Sequence, residues 1–226
     1  MVGVSGQMHA TLITPDGPGP YPGVLVLHTS SGLREADIAY AQALARVGYV
    51  ALVPAFMNAY AISSAQRRES FTTRAGAIYA DLVSALDTLR QNKLVRGGKL
   101  GAVGFSNGGY FAMWLAATGK VAAGVSYYGA LSGAGSDIQQ LRFRQAFTKA
   151  SAPVLILHGT EDRTVPVGAA KRLAGIATAA GSVHELWLYD GAEHQFERDL
   201  ALTANQQAAN DAWARTMGFF GKYLAK

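Results

Sequence analysis

The chain has no cysteine among its 226 residues. That absence excludes disulfides, a thiolate nucleophile and cysteine-ligated metal together, and it leaves the redox compartment open. Charge is also scarce: Asp, Glu, Lys and Arg make up 15% of the residues, against about a quarter in ordinary soluble domains. The formal net charge of +5 comes from scattered side chains, with Arg67-Arg68 the only adjacent arginines. The clustered basic face that nucleic acid binding needs is missing. No apolar run approaches the roughly 18 residues of a membrane span, and residues 1–6 lack both the basic and the apolar region of a secretory leader. The expectation is a soluble protein, cytoplasmic by default, with an extracytoplasmic origin after leader removal left open. No Gly-Lys-Ser/Thr phosphate loop occurs, Gly133-Ala134-Gly135 lacks the third glycine of a dinucleotide loop, and His184-Glu185 has no second histidine to complete a zinc-protease pattern. No metal, nucleotide or other cofactor is expected.

Half of the residues are hydrophobic and 26 are glycine, enough apolar material for one large domain spanning 1–226. Short apolar runs at 9–14, 23–28, 50–53, 99–105, 122–127, 153–158 and 184–189 read as strands. Longer segments of helical period separate them at 35–47, 70–91, 107–118, 137–149, 167–180 and 200–223. This alternation predicts an α/β fold, an open and mostly parallel sheet with helices on both faces and little or no cap. The turn-rich Pro15-Asp16-Gly17-Pro18-Gly19-Pro20 predicts a hairpin between the first two strands. Leu82, Ala85, Leu86 and Leu89 follow the 3.6-residue period and predict one buried stripe. The weakly patterned residues 55–74 predict an insertion over the strand ends, where such sheets place their sites.

Gly104-Phe105-Ser106-Asn107-Gly108-Gly109 lies between a strand and a helix. A nucleophile elbow needs that context, because the sharp turn exposes the serine hydroxyl while small neighbours relieve crowding. The competing reading is a serine that only caps the following helix. Partners for a serine nucleophile come in the chain order Ser, acid, His in this architecture, each after a later strand. Asp162, preferred over Glu161, follows the strand at 153–158, and His194 follows the last one. Ser106, Asp162 and His194 thus form a candidate triad. The amides of Asn107 and of Ser30, in the small-residue loop after the strand at 23–28, are candidate oxyanion donors.

These motifs resemble the dienelactone hydrolase family of the α/β-hydrolases. The resemblance runs from about residue 20 to the C-terminus and is carried by the His28 to Gly32 loop, Gly-x-Ser106-x-Gly-Gly, Tyr127-Tyr128-Gly129, His158-Gly-x-x-Asp162-x-x-Val-Pro and His194-x-Phe196. It implies a cofactor-independent hydrolase of small carboxylic esters or lactones. The founding dienelactone enzymes carry a cysteine where Ser106 stands and a glutamate where Thr29 stands, and that glutamate helps control the thiol. Both are lost together here, so dienelactone itself is not assumed as substrate. Arg198 matches a family arginine that binds the substrate carboxylate, with Arg67, Arg68 and Arg74 as further candidates. Tyr127, Phe196, Tyr60, Phe56 and Phe71 are candidates for an apolar pocket wall. The partner is a small molecule, neither nucleic acid nor membrane, and the chain is expected as monomer or homodimer. Two other readings stay open: a non-catalytic binding protein on this fold, and a triad enzyme acting on another acyl bond, as a peptidase, polyester depolymerase or acyltransferase.

Overall fold

The computed structural model describes residues 8–129, 131, 133 and 135–224. Its centre is a seven-stranded sheet: β1 (Ala10–Ile13), β2 (Tyr21–Leu27), β3 (Val50–Pro54), β4 (Val95–Phe105), β5 (Ala123–Tyr127), β6 (Val154–Gly159) and β7 (His184–Tyr189). The spatial order is β1-β3-β2-β4-β5-β6-β7. Every pairing is parallel except that of β1 with β3. The expected α/β architecture is therefore the observed one.

Alternating side chains of the inner strands enter two cores. Leu25, Leu27, Ala102 and Ile156 face one side, packed by α3 (Ala75–Arg90), α4 (Asn107–Ala117), α5 (Ser136–Ala146) and α6 (Gly168–Ala179). Val24, Val26, Val103 and Leu155 face the other, covered by α1 (Glu35–Arg46) and α7 (Thr203–Leu224). Strands buried on both faces read as continuous apolar runs, which is why their positions were visible in the sequence. The α3 stripe of Leu82, Ala85, Leu86 and Leu89 is buried as its period requires.

Three local expectations need correction. The first two strands form no hairpin, because both edges of β2 are taken by the parallel strands β3 and β4. β1 instead crosses to the outer edge of β3, where its half-exposed pattern suits an edge strand. The helix expected over 70–91 is broken, with the single turn α2 (Arg68–Phe71) separated from α3. There the Ser70 and Thr72 hydroxyls donate to the carbonyls of Arg67 and Arg68, satisfying backbone groups locally and favouring a stop. β4 also starts at Val95 rather than 99, through an irregular pairing between Tyr21 and Gly23.

Candidate active site

Ser106 joins the end of β4 to the start of α4 with φ 50 and ψ −109, a sparsely populated conformation for a residue with a side chain. The strain is held by packing on both sides. A Cβ at Gly104 would lie 2.1 Å from the Gly108 carbonyl oxygen, and one at Gly108 would lie 2.1 Å from that of Leu27. Only glycine lets these backbones meet. Gly108→Ala is expected to destabilise the fold by about 3 kcal/mol or more, because backbone rather than a flexible side chain must yield; urea unfolding measures it. The Ser106 side chain makes no capping hydrogen bond to α4, so the helix-cap reading fails.

Beyond the strand ends lies a cavity of about 520 Å³ whose wall includes both Ser106 and His194. Ser30 and Asn107 belong to the same wall, and neither amide is engaged by another backbone acceptor among the described residues. By contrast, the neighbouring amides of Ser31 and Gly32 are tied to Thr29. The segment 55–74 contributes Ser64, Arg67 and Phe71, and the loop after β6 contributes Arg163 and Val165. Residues 55–74 thus do lie over the site.

His194 Nδ1 lies 2.7 Å from Asp162 Oδ2. A carboxylate only accepts, so Nδ1 carries the proton and Nε2 keeps its lone pair. The other Asp162 oxygen accepts from the amides of Thr164 and Val165 at 2.9 and 2.7 Å. Burial alone would raise the Asp162 pKa, but hydrogen bonds from His158, His194 and the Val165 amide outweigh it and hold the carboxyl well below the usual carboxylate range. His158, part of the His158-Gly-x-x-Asp162 motif, is a further partner of this carboxylate. Its Nε2 donates to the Val165 carbonyl at 2.7 Å and lies 3.3 Å from Asp162 Oδ2. Its only sequence signal is the four-residue step from His158 to Asp162 across a tight loop.

The His194 loop is braced in turn. Asn205 of α7, fully buried, accepts from the Glu193 amide at 2.9 Å and donates to the Asp199 carbonyl at 2.8 Å. The next residue, Gln195, has φ 61, and Tyr128, whose ring centroid lies 4.6 Å from that of His194, has φ 39. Of the four side-chain-bearing residues described with positive φ, Ser106 and Gln195 line this cavity and Tyr128 packs on His194 behind it.

The profile described as the dienelactone hydrolase family matches residues 8–224. The chain belongs to that family. It is 28% identical over 227 residues to a "Putative carboxymethylenebutenolidase" of Methylorubrum extorquens, covering 96% of this chain and 78% of the relative. A "Probable 2-oxo-3-(5-oxofuran-2-ylidene)propanoate lactonase" of Bradyrhizobium is 27% identical, with 99% and 93% covered. Among solved structures, a "Putative Dienelactone Hydrolase" of Klebsiella pneumoniae superposes with a TM-score of 0.80 at 24% identity, covering 96% of this chain and 95% of that one. The α/β-hydrolase fold and a hydrolase of the ester and lactone type follow from this membership.

Within this dienelactone hydrolase family member, the expected substrate-binding side chains lie elsewhere. Arg198 does not line the cavity. It is ion-paired to Asp37 at 2.6 Å and Glu197 at 2.7 Å, with its guanidinium 4.9 Å from the Phe105 ring centroid. Both carboxylates are already committed to it, so a substrate carboxylate would have to displace them. Tyr127 is buried, hydrogen-bonded to Thr216 and Tyr40, and Phe196 is core beside it. The Tyr60 hydroxyl donates to Asp81 at 2.7 Å. Phe56 stacks on buried His28. Of the expected aromatic wall only Phe71 faces the cavity, and of the arginines only Arg67, joined by Arg163. The aromatics were misassigned because an aromatic beside a strand end fills core as readily as it lines a pocket.

Among the described residues no group of three or more metal-ligating side chains is placed to hold an ion. No helix there is long and apolar enough to cross a membrane.

Proposed function

We propose that this chain hydrolyses small carboxylic esters or lactones through an acyl-enzyme on Ser106. The observation that carries the reading is a strained Ser106 with no capping bond to its helix, in one cavity with a His194 whose tautomer is fixed by Asp162. His194 Nε2 takes the Ser106 proton as the oxygen attacks the carbonyl carbon. The amides of Ser30 and Asn107 hold the tetrahedral oxyanion, and the imidazolium returns the proton to the leaving alkoxide. Water, deprotonated by the same imidazole, then attacks the acyl carbon; the bond from that carbon to Ser106 Oγ breaks, the imidazolium returns the proton to Oγ, and the acid leaves. Asp162 stabilises the imidazolium throughout.

Arg67 and Arg163 are the cations of the cavity wall, and they favour substrates that carry a carboxylate at a distance from the scissile bond. The propanoate in the name of the Bradyrhizobium relative is in keeping with an anionic lactone. Arg67→Ala is expected to lower the ratio of activities on acidic and neutral p-nitrophenyl esters by about tenfold, one charge-assisted contact. Arg198→Ala is expected to leave that ratio unchanged while lowering Tm, because it unpairs the buried Asp37 and Glu197. The reverse pattern would return the carboxylate site to Arg198.

A further inference from the structure

The residue after the nucleophile carries a side chain whose contacts the proposed chemistry does not use. Asn107 is 1% exposed and Ser70 is fully buried. The Asn107 carboxamide nitrogen donates to Ser70 Oγ at 3.1 Å and to Met57 Sδ at 3.2 Å. The Ser70 hydroxyl in turn donates to the Arg67 carbonyl at 2.6 Å. The single Ser70 proton favours this contact over the 3.4 Å one to Asn107 Oδ1, so a chain of donors runs from the elbow to the backbone of Arg67. Four residues further along α4 from Ser106, Tyr110 meets the Phe71 ring edge to face at 5.1 Å. Arg142 bonds the Tyr110 hydroxyl and donates to the Phe71 carbonyl at 2.9 Å. The two cavity-facing side chains of the 67–71 segment, Arg67 and Phe71, therefore hang on a backbone fastened to α4 at both ends.

We propose that Asn107, acting through Ser70, is a positioning residue that sets substrate selection by holding Arg67 and Phe71 over Ser106. This rests on the serine hydrolase reading above. The Asn107 amide is the proposed oxyanion donor, so the tie also fixes the distance between the reacting carbonyl and the remote group bound by the segment. Binding energy from that remote group then holds the carbonyl in the oxyanion site. A segment fastened in this way is a wall of the cavity and not a lid.

The test compares wild type with Asn107→Leu, Ser70→Ala, the double variant and Ser70→Thr. Each is assayed for kcat and KM on mono-p-nitrophenyl glutarate and p-nitrophenyl butyrate, with Tm and the rate of Ser106 labelling by a neutral alkyl fluorophosphonate recorded alongside. Asn107→Leu keeps the backbone amide and removes the donor, while Ser70→Ala removes one oxygen and is the gentler variant for folding. Either single change is expected to shift the glutarate-to-butyrate ratio of kcat/KM by about tenfold, mostly through KM, for the loss of one buried hydrogen bond. The double variant should shift it no further than a single one, since the two residues act as one link, and Ser70→Thr should restore it. A lowered Tm with the ratio unchanged, or additive shifts in the double variant, would overturn the inference and leave the serine mechanism standing. A wild type inert to both esters and to the fluorophosphonate would overturn the serine mechanism and this inference with it.

Discussion

Replacing Ser106 by alanine is expected to lower kcat on short acyl p-nitrophenyl esters by about 10⁶-fold, the scale seen when a nucleophile that works as a unit with its base is removed. The folded structure should persist. Alanine meets the same left-handed backbone strain as serine at φ 50, and the hydroxyl makes no capping bond whose loss would loosen α4. Circular dichroism should therefore superpose for the two proteins. A folded Ser106→Ala variant with wild-type turnover would remove the acyl-enzyme from the mechanism.

Asp162→Asn carries the second large effect, a fall in kcat of about 10⁴-fold. The amides of Thr164 and Val165 both donate to Oδ1, so an asparagine must present its oxygen there and turn its NH₂ towards His194 and His158. A donor facing His194 Nδ1 drives the proton to Nε2, and the imidazole can no longer accept from Ser106. The same NH₂ meets the Nε2–H of His158, whose proton is held by the Val165 carbonyl. The substitution therefore costs stability as well as rate. Because the native Asp162 carboxyl sits below its usual range, its stabilising contribution is complete above the unfolded value of about 3.9 and is lost as pH falls through the native one. Thermal unfolding should show the gap between wild type and Asp162→Asn at neutral pH narrowing in acid. A gap constant from pH 7 to pH 2 would mean that the Asp162 hydrogen bonds do not favour its ionised form.

What could be read from the sequence follows a physical division. The inner strands were legible because burial on both faces demands unbroken apolar runs, and α3 because one buried stripe demands the 3.6-residue period. The elbow was legible for a related reason: Gly104 and Gly108 face backbone atoms at distances no Cβ tolerates, so sequence and geometry constrain each other tightly. Ser106, Asp162 and His194 could be proposed from chain order alone, since each sits just past a strand end. Sheet order was less legible. Whether β1 pairs with β2 or β3 is decided by competition for strand edges, which no local pattern records.

Pocket walls were the least legible. Arg198 matches a family motif, yet the buried Asp37 captures it from 161 positions away. Asp37 stands in the first turn of α1, where an acid is ordinary, and no local pattern marks it as the partner of Arg198. Tyr127 and Phe196 are core because α7 covers them, and Arg163 reaches the cavity because the Asp162 loop turns it there. The outcomes at Arg198 and Tyr127 depend on contacts between elements far apart in the chain. Ser70 illustrates the same limit: nothing in Arg-Glu-Ser-Phe announces a bond to the residue beside the nucleophile.

Whether Ser106 is the nucleophile is decided by mass spectrometry of the protein after reaction with a fluorophosphonate. One adduct per chain is expected, carried on Ser106, with labelling slowed in His194→Ala and absent in Ser106→Ala. A folded protein that takes up no label, or takes it up on another residue, would contradict the assignment of Ser106 as nucleophile and leave a family fold without the proposed chemistry.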